Sequence, residues 1–158
     1  MPTPDFVLAL REKIGHAPLW LPGVTAVVFD AAGRVLLGRR ADNGEWTLIT
    51  GMLDPGEHAA VGAVREVLEE TGVVVGVERL VSTGVVGPVT FPNGDVCTFF
   101  DVSFRCRHLT GEARVNDDES LEVAWFELDD LPRLNDRHRH ILELARDRHG
   151  EAWFSADA

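Results

Sequence analysis

One stretch of the sequence constrains the fold more than any other: Gly51 to Val73, GMLDPGEHAAVGAVREVLEETGV. Asp54-Pro55-Gly56 forbids a helix across it, so Gly51–Glu57 reads as a loop. From His58 to Thr71 the pattern is helical. Ala60, Ala63, Val64 and Val67 form an apolar stripe at helical spacing, and Gly72 stands where a C-terminal glycine cap belongs. The rest of the chain must therefore supply a surface to bury that stripe. Beside it, Glu66, Glu69 and Glu70 stand at i, i+3 and i+4, within an arc of about 100°. Arg65 precedes Glu69 by one helical turn and can brace it.

Like charges at this spacing cost only ~0.2–0.5 kcal/mol when exposed, so an acidic helix face by itself is equally a solvated face. Two features point further. The glycine-bearing loop ending in Glu57 can bring backbone groups close to a bound ion. Three carboxylates on one rigid face make a hard oxygen site, which suits Mg²⁺ or Mn²⁺ and, through the cation, phosphate. Net charge makes the same demand. Fifteen Lys+Arg against twenty-six Asp+Glu give −11, a field that repels phosphate. Such a chain is a poor non-specific binder of nucleic acid or of an anionic membrane. A phosphorylated substrate would need a positive element between itself and the protein.

The remaining sequence reads as α+β, a mixed sheet between helices. The expected length for one domain covers all of residues 1–158. Thr3-Pro4-Asp5 resembles a helix start, Thr as N-cap, for a helix over 3–14 with Phe6, Leu10 and Ile14 inward. His16–Pro22 reads as a connector. Strands are expected at Val24–Asp30, Arg34–Arg40, Trp46–Thr50, within Val73–Val86, at Val96–Arg107 and at Leu121–Glu127. A turn at Pro92-Asn93-Gly94 and an acidic loop at Leu109–Ser120 separate the later strands. A closing helix over 135–149 turns Ile141, Leu144 and Ala145 inward. His138 and His140 diverge on it and read as surface. No apolar run approaches the ~20 residues of a membrane span, and the N-terminus lacks the basic region of a signal peptide. Cys97 and Cys106 lie nine apart in one expected strand, facing opposite ways, so they cannot pair there. Reduced thiols and a cytoplasmic location follow as expectations.

The Gly51–Val73 string resembles the Nudix box, Gly-x5-Glu-x7-Arg-Glu-aliphatic-x-Glu-Glu-x-Gly-aliphatic. Gly51, Glu57, Arg65, Glu66, Val67, Glu69, Glu70, Gly72 and Val73 match every position. The resemblance extends over about residues 24–134 and implies the Nudix α/β/α sandwich. Trp125-Phe126 and Leu131-Pro132 are similar to the strand and turn that close that fold. Ile49-Thr50 stands where many relatives have Pro-Gly, outside the consensus.

The resemblance implies a divalent-metal-dependent hydrolase. It would cleave the diphosphate linkage of a nucleoside diphosphate joined to another moiety, by attack of water on phosphorus. ADP-ribose or a similar nucleotide sugar is the first expectation for the substrate and a (deoxy)nucleoside triphosphate the second. The implied cofactor is Mg²⁺, with Mn²⁺ as substitute. By position, Glu69 and Glu70 are the implied metal ligands. Glu66 is a third ligand or the base, and the Gly51 carbonyl completes the set. Glu57 and Arg65 are implied to fix the loop on the helix. A base or further ligand often comes from outside the box, and Asp117, Asp118 and Glu119 are the candidates, Glu119 first.

For the substrate itself, Arg39 and Arg40 are candidates for phosphate, and Trp46 and Phe91 for stacking on a base. Each also has a plain structural reading. Oligomeric state is open, the homodimer being common in the resembling family. The alternative function is a nucleotide-sensing module on the same fold without turnover, which would be free to lose one of the carboxylates. None is lost. Isopentenyl-diphosphate-type isomerisation would want a catalytic cysteine, and neither Cys97 nor Cys106 is placed for it.

Overall fold

The computed structural model describes residues 3–91 and 93–156. Among them the elements run α1 (Asp5–Ile14), β1 (Leu19–Phe29), β2 (Val35–Arg40), β3 (Trp46–Thr47), β4 (Ile49–Met52), α2 (Ala59–Thr71), β5 (Val74–Thr90), β6 (Val96–Thr110), β7 (Ser120–Phe126) and α3 (Asp136–Arg146). The strands form one mixed sheet in the order β3-β2-β1-β6-β5, with β4 on β1 and β7 on β2. β1 runs parallel to β6 and the other pairings are antiparallel. The expected α/β/α sandwich is therefore present. No helix of the described residues is long and apolar enough to cross a membrane.

Alternation along β1 sorts the core onto two faces. Val24, Ala26 and Val28 point to α2, where Ala63 and Val67 meet them. Val27 and Phe29 point to α3 and meet Ile141, Leu142 and Ala145. Leu21 and Cys97 extend that second face under α1, while Cys106 sits on the α2 face. The two thiols are free and buried, on opposite sides of the sheet.

Several expectations are corrected. Pro4, not Thr3, is the residue before α1, and no side chain caps that helix. Leu10 and Ile14 are exposed. Val7 is the buried residue, because α1 meets the sheet through its first turns, with Phe6 beside Val7. The expected connector at 16–22 ends inside β1. Cys97 to Phe100 offer Leu19–Pro22 a parallel partner, and that non-local pairing extends the strand through a proline. The single strand at Trp46–Thr50 divides into β3, paired with β2, and β4, paired with β1. Gly51 and Met52 thus belong to a strand, not to the loop. Of the turn expected at 92–94, Pro92 lies outside the described residues.

His138 is also corrected, being buried rather than at the surface. Asn135 caps α3 by accepting from the His138 backbone N–H at 2.8 Å. The His138 ring then takes the Leu48 N–H on Nδ1 at 2.9 Å. Leu142 is buried as well, while Leu144 is only partly covered.

Candidate active site

The site is built on α2. Its C-terminus is closed by Gly72 in the left-handed region at φ 70°, whose N–H donates to the Leu68 carbonyl. Asn116 and Arg114 satisfy further end carbonyls. Asn116 Nδ2 donates to Leu68 and Glu69, its N–H to Glu70, and the Arg114 N–H to Thr71, all at 3.0–3.1 Å. Sequence reasoning missed Asn116. Its position in an acidic loop carried no local sign that it would cap a helix more than forty residues earlier.

The three box carboxylates share one arc of α2 and differ in depth. Glu66 and Glu70, at i and i+4, are 1% and 8% exposed, on the same side as Ala63 and Val67. Glu69, at i+3 on the outer edge of the same arc, is half-exposed. Among the described residues no group of three acidic, histidine or cysteine side chains is gathered at metal-holding distance.

Arg65 organises the cluster. It grips Glu57 with two parallel bonds, Nε–H to Oε1 at 2.9 Å and Nη2–H to Oε2 at 2.8 Å. The same guanidinium donates to Glu66 Oε1 at 2.9 Å, Glu69 Oε2 at 3.1 Å and the Met52 carbonyl at 3.0 Å. The Asp54 N–H also donates to Glu57. The loop is thus fastened to the helix through Glu57 and Arg65. The Arg65 hydrogen bonds pull the Glu57 carboxyl below its ordinary range.

Two glycines make this approach feasible. A Cβ at Gly51 would stand 1.9 Å from Glu66 Cδ, inside any allowed contact. Only a bare backbone lets the Glu66 carboxylate lie against β4. A Cβ at Gly62 would stand 2.3 Å from Leu53 and 2.9 Å from Glu57 Oε2. Gly62 occupies a free position of the motif, so its role was invisible in the sequence.

Charge at the site is unbalanced. Burial pushes Glu66 up to about 7 despite Arg65. Burial, then repulsion from Glu66 and Asp117, pushes Glu70 up to about 8. Glu66 Oε2 is buried with no hydrogen-bond partner, which costs free energy in any folded state. Oxygen-only donors, a buried carboxylate atom without a donor, and a backbone cleared by Gly51 are the surroundings that a hard divalent cation requires. The residues present fit such a cation.

Of the loop acids, Asp117 is the one whose charge acts on Glu70, and burial raises its own pKa. Glu119 joins the loop to β2, its carbonyl accepting from the Ala41 N–H at 2.7 Å. Arg40 is held by Asp42 through two bonds, at 2.9 and 2.6 Å, and its charge reaches Glu70. Arg39 faces Gly44 and Glu122 instead. Trp46 packs edge-on against Phe126, with ring centroids 4.9 Å apart, in the α3-side cluster. Phe91 sits at the β5–β6 hairpin tip, bonded to Asp95 through the backbone.

Comparison with known proteins gives a consistent result. The NUDIX domain model matches residues 19–145. A MutT-like protein of Streptomyces ambofaciens is 40% identical over 120 residues, 76% of this chain and 72% of that protein. The NAD-capped RNA hydrolase NudC of Citrobacter koseri is 32% identical over 110 residues, or 68% of this chain. The match spans only 40% of that protein's length. Among solved structures, an ADP-ribose pyrophosphatase of Streptococcus suis superposes with a TM-score of 0.66 at 27% identity. That match covers 85% of this chain and 98% of the other.

Proposed function

The chain belongs to the NUDIX domain family as a Nudix pyrophosphohydrolase, and from that premise we propose the following. It hydrolyses the diphosphate linkage of a nucleoside diphosphate joined to another moiety, with a divalent cation held by Glu66, Glu70, Glu69 and the Gly51 carbonyl. The observation that carries this reading is the buried pair Glu66–Glu70, one oxygen of which has no donor, set against a strand cleared by Gly51. ADP-ribose or a related nucleotide sugar is the substrate we favour, supported by the likeness to an ADP-ribose pyrophosphatase. A (deoxy)nucleoside triphosphate comes second. Mg²⁺ is the proposed cation, with Mn²⁺ as substitute.

The cation, when bound, neutralises phosphate charge and lowers the pKa of water. The protein's own part is orientation and proton handling. Arg65 fixes Glu57, Glu66 and Glu69 relative to one another, so the carboxylates meet the substrate without rearranging. With Glu69 and Glu70 on the cation, Glu66 is either a further ligand or the base that takes a proton from the attacking water. Asp117 and Glu119, in the loop that caps α2, are further candidates to accept that proton. Arg40 and Arg39 are proposed phosphate contacts, Arg40 being the nearer in charge to Glu70.

The test is a phosphate-release panel with Mg²⁺ and with Mn²⁺ over ADP-ribose, other nucleotide sugars, NADH, dinucleoside polyphosphates and dNTPs. Glu70→Gln is run beside wild type. Turnover of one compound class that disappears in the variant is expected. Turnover unchanged in the variant would overturn the site. Metal-dependent nucleotide binding without any turnover would favour a sensing module.

A further inference from the structure

Helix α2 ends against the acidic loop that follows β6, and Glu69 and Glu70 stand in its last turn. The last four carbonyls of an α-helix have no partner inside it. In α2 these belong to Leu68, Glu69, Glu70 and Thr71. One loop meets all four. Asn116 Nδ2 donates to Leu68 and Glu69, the Asn116 N–H to Glu70 and the Arg114 N–H to Thr71, at 3.0–3.1 Å. Three of the four carbonyls therefore accept from one residue, and two of those three belong to the box carboxylates.

The chemistry of that residue matters. A helix C-terminus carries partial negative charge, and lysine or arginine is a common answer to it. α2 has no basic residue in its last turn. Arg114 reaches the helix with its backbone N–H, while its guanidinium lies over Gly72. A cationic side chain on the Glu69 and Glu70 carbonyls would also attract their carboxylates and compete with a divalent ion for them. The amide of Asn116 donates two hydrogen bonds and carries no charge.

The loop is held on either side of Asn116. Ala113 packs on the α2-side core. Gly111, at φ 90°, passes so close to the helix end that a Cβ there would lie 2.4 Å from the Gly72 carbonyl oxygen. Further on, the Glu119 carbonyl accepts from the Ala41 N–H at 2.7 Å, and the Glu119 N–H donates to Asp117 Oδ1 at 3.1 Å. Asp117 thus stands between two fixed points, Asn116 on α2 and Glu119 beside β2. It is half-buried where Asp118 is exposed, and its charge acts on Glu70.

We propose that Asn116 is a positioning residue of the carboxylate site: its amide locks the acidic loop to the backbone of Glu69 and Glu70 and so seats Asp117 beside them. The proposal rests on the hydrolase reading for the cation and the reaction. Asn116 touches neither cation nor substrate and acts through Asp117. Without its amide the loop keeps the anchors at Ala113 and Glu119 and loses the side-chain bonds between them. Asp117 then moves off Glu70, and a divalent ion meets less negative charge. Substrate contacts made elsewhere are untouched, so the loss falls on cation affinity and kcat and spares KM.

The test is Mn²⁺ titration of the metal-free full chain, with the free ion followed by electron paramagnetic resonance. It compares wild type, Asn116→Ala, Asn116→Leu, Asp117→Asn and the double variant Asn116→Ala with Asp117→Asn. Leucine fills the space of asparagine and donates nothing. kcat and KM at saturating Mn²⁺ are taken on the diphosphate that wild type turns over. Expected is a Mn²⁺ dissociation constant about 10-fold higher in both Asn116 variants, with kcat reduced and KM within about twofold. The double variant should bind Mn²⁺ as Asp117→Asn alone does, because nothing is left to position.

Thr71→Val controls for a merely structural role. It removes a hydroxyl that donates to the Val67 carbonyl and accepts from the Val73 N–H, within the same helix end. Its melting temperature should fall at least as far as that of Asn116→Ala, with Mn²⁺ affinity unchanged. If Asn116→Ala is unfolded, Asn116→Leu carries the test, alone and combined with Asp117→Asn. Wild-type Mn²⁺ affinity in the folded Asn116 variants, an equal loss in Thr71→Val, or additive losses in the double variant would overturn the proposal. No Mn²⁺ binding by wild type would overturn the cation site and this proposal together. Asn116-dependent Mn²⁺ binding with no turnover of any diphosphate would sink the hydrolase reading and leave the positioning role standing.

Discussion

The two faces of the sheet manage charge in opposite ways. On the α2 face a single guanidinium, Arg65, serves three carboxylates, and Glu66 and Glu70 are left with raised pKa values and a buried oxygen without a donor. On the α3 face a single carboxylate, Asp101, is served by two hydroxyls and a guanidinium. On the same face His138 is held neutral. Its Nδ1 accepts from the Leu48 N–H, and burial followed by the Arg137 charge drives its pKa down to about 3. Unmet negative charge disposes the first face to a cation. The second is balanced.

The largest effect expected is from Glu70→Gln. Turnover should fall by about 100-fold or more, as for loss of a metal-holding residue, while the melting temperature stays level or rises. Removing a desolvated carboxyl costs the fold nothing. A large loss of stability would instead make Glu70 a structural residue and erase the contrast between the faces. Next is Gly51→Ala, whose Cβ would collide with Glu66. Overpacking should cost about 2 kcal/mol in denaturant unfolding, with activity lost as Glu66 is displaced.

Stability against pH should report the two faces with opposite signs. His138 lies below its unfolded value of 6.5. The unfolded chain thus binds the extra proton, and stability is lost as pH falls below about 6.5, by about 1.4 kcal/mol per pH unit. His138→Gln should flatten that acidic limb. Glu66 and Glu70 lie above their unfolded value of 4.5. Here the folded chain binds the extra protons. Their contribution is full below pH 4.5 and is lost as pH rises through about 7 to 8. Added Mg²⁺ should offset the loss on that limb and do little near pH ~5, where the pair holds its protons. If both limbs respond to Mg²⁺, the cation is not held by this pair. The smallest effect is from Asn116→Ala, about 1 kcal/mol for the lost cap bonds on α2. Its activity should follow Asp117, whose position beside Glu70 depends on that loop.

The α2 face is legible in the sequence because its chemistry is local. Glu57, Arg65, Glu66 and Gly72 lie within one loop and one helix, where 3.6-residue periodicity and the αL cap convert spacing into placement. Even there, spacing says nothing of depth. It puts Glu66, Glu69 and Glu70 on one face, and only packing against β4 separates a buried pair from an exposed third. The α3 face is not legible in this way. Asp101 and Thr25 are seventy-six residues apart and meet through parallel register. His138 reads as surface because its burial depends on an Asn135 cap and a Leu48 amide from elsewhere in the chain.

What the sequence determined by itself is the helix, its cap, the loop before it and the family, since each follows from residues close enough to act on one another through the backbone. The tertiary structure decided which carboxylates are desolvated, that Gly51 leaves β4 bare against Glu66, and that Trp153 returns to the edge of β5. Desolvation and non-local strand pairing depend on what the rest of the chain brings alongside, and no spacing along one segment encodes that.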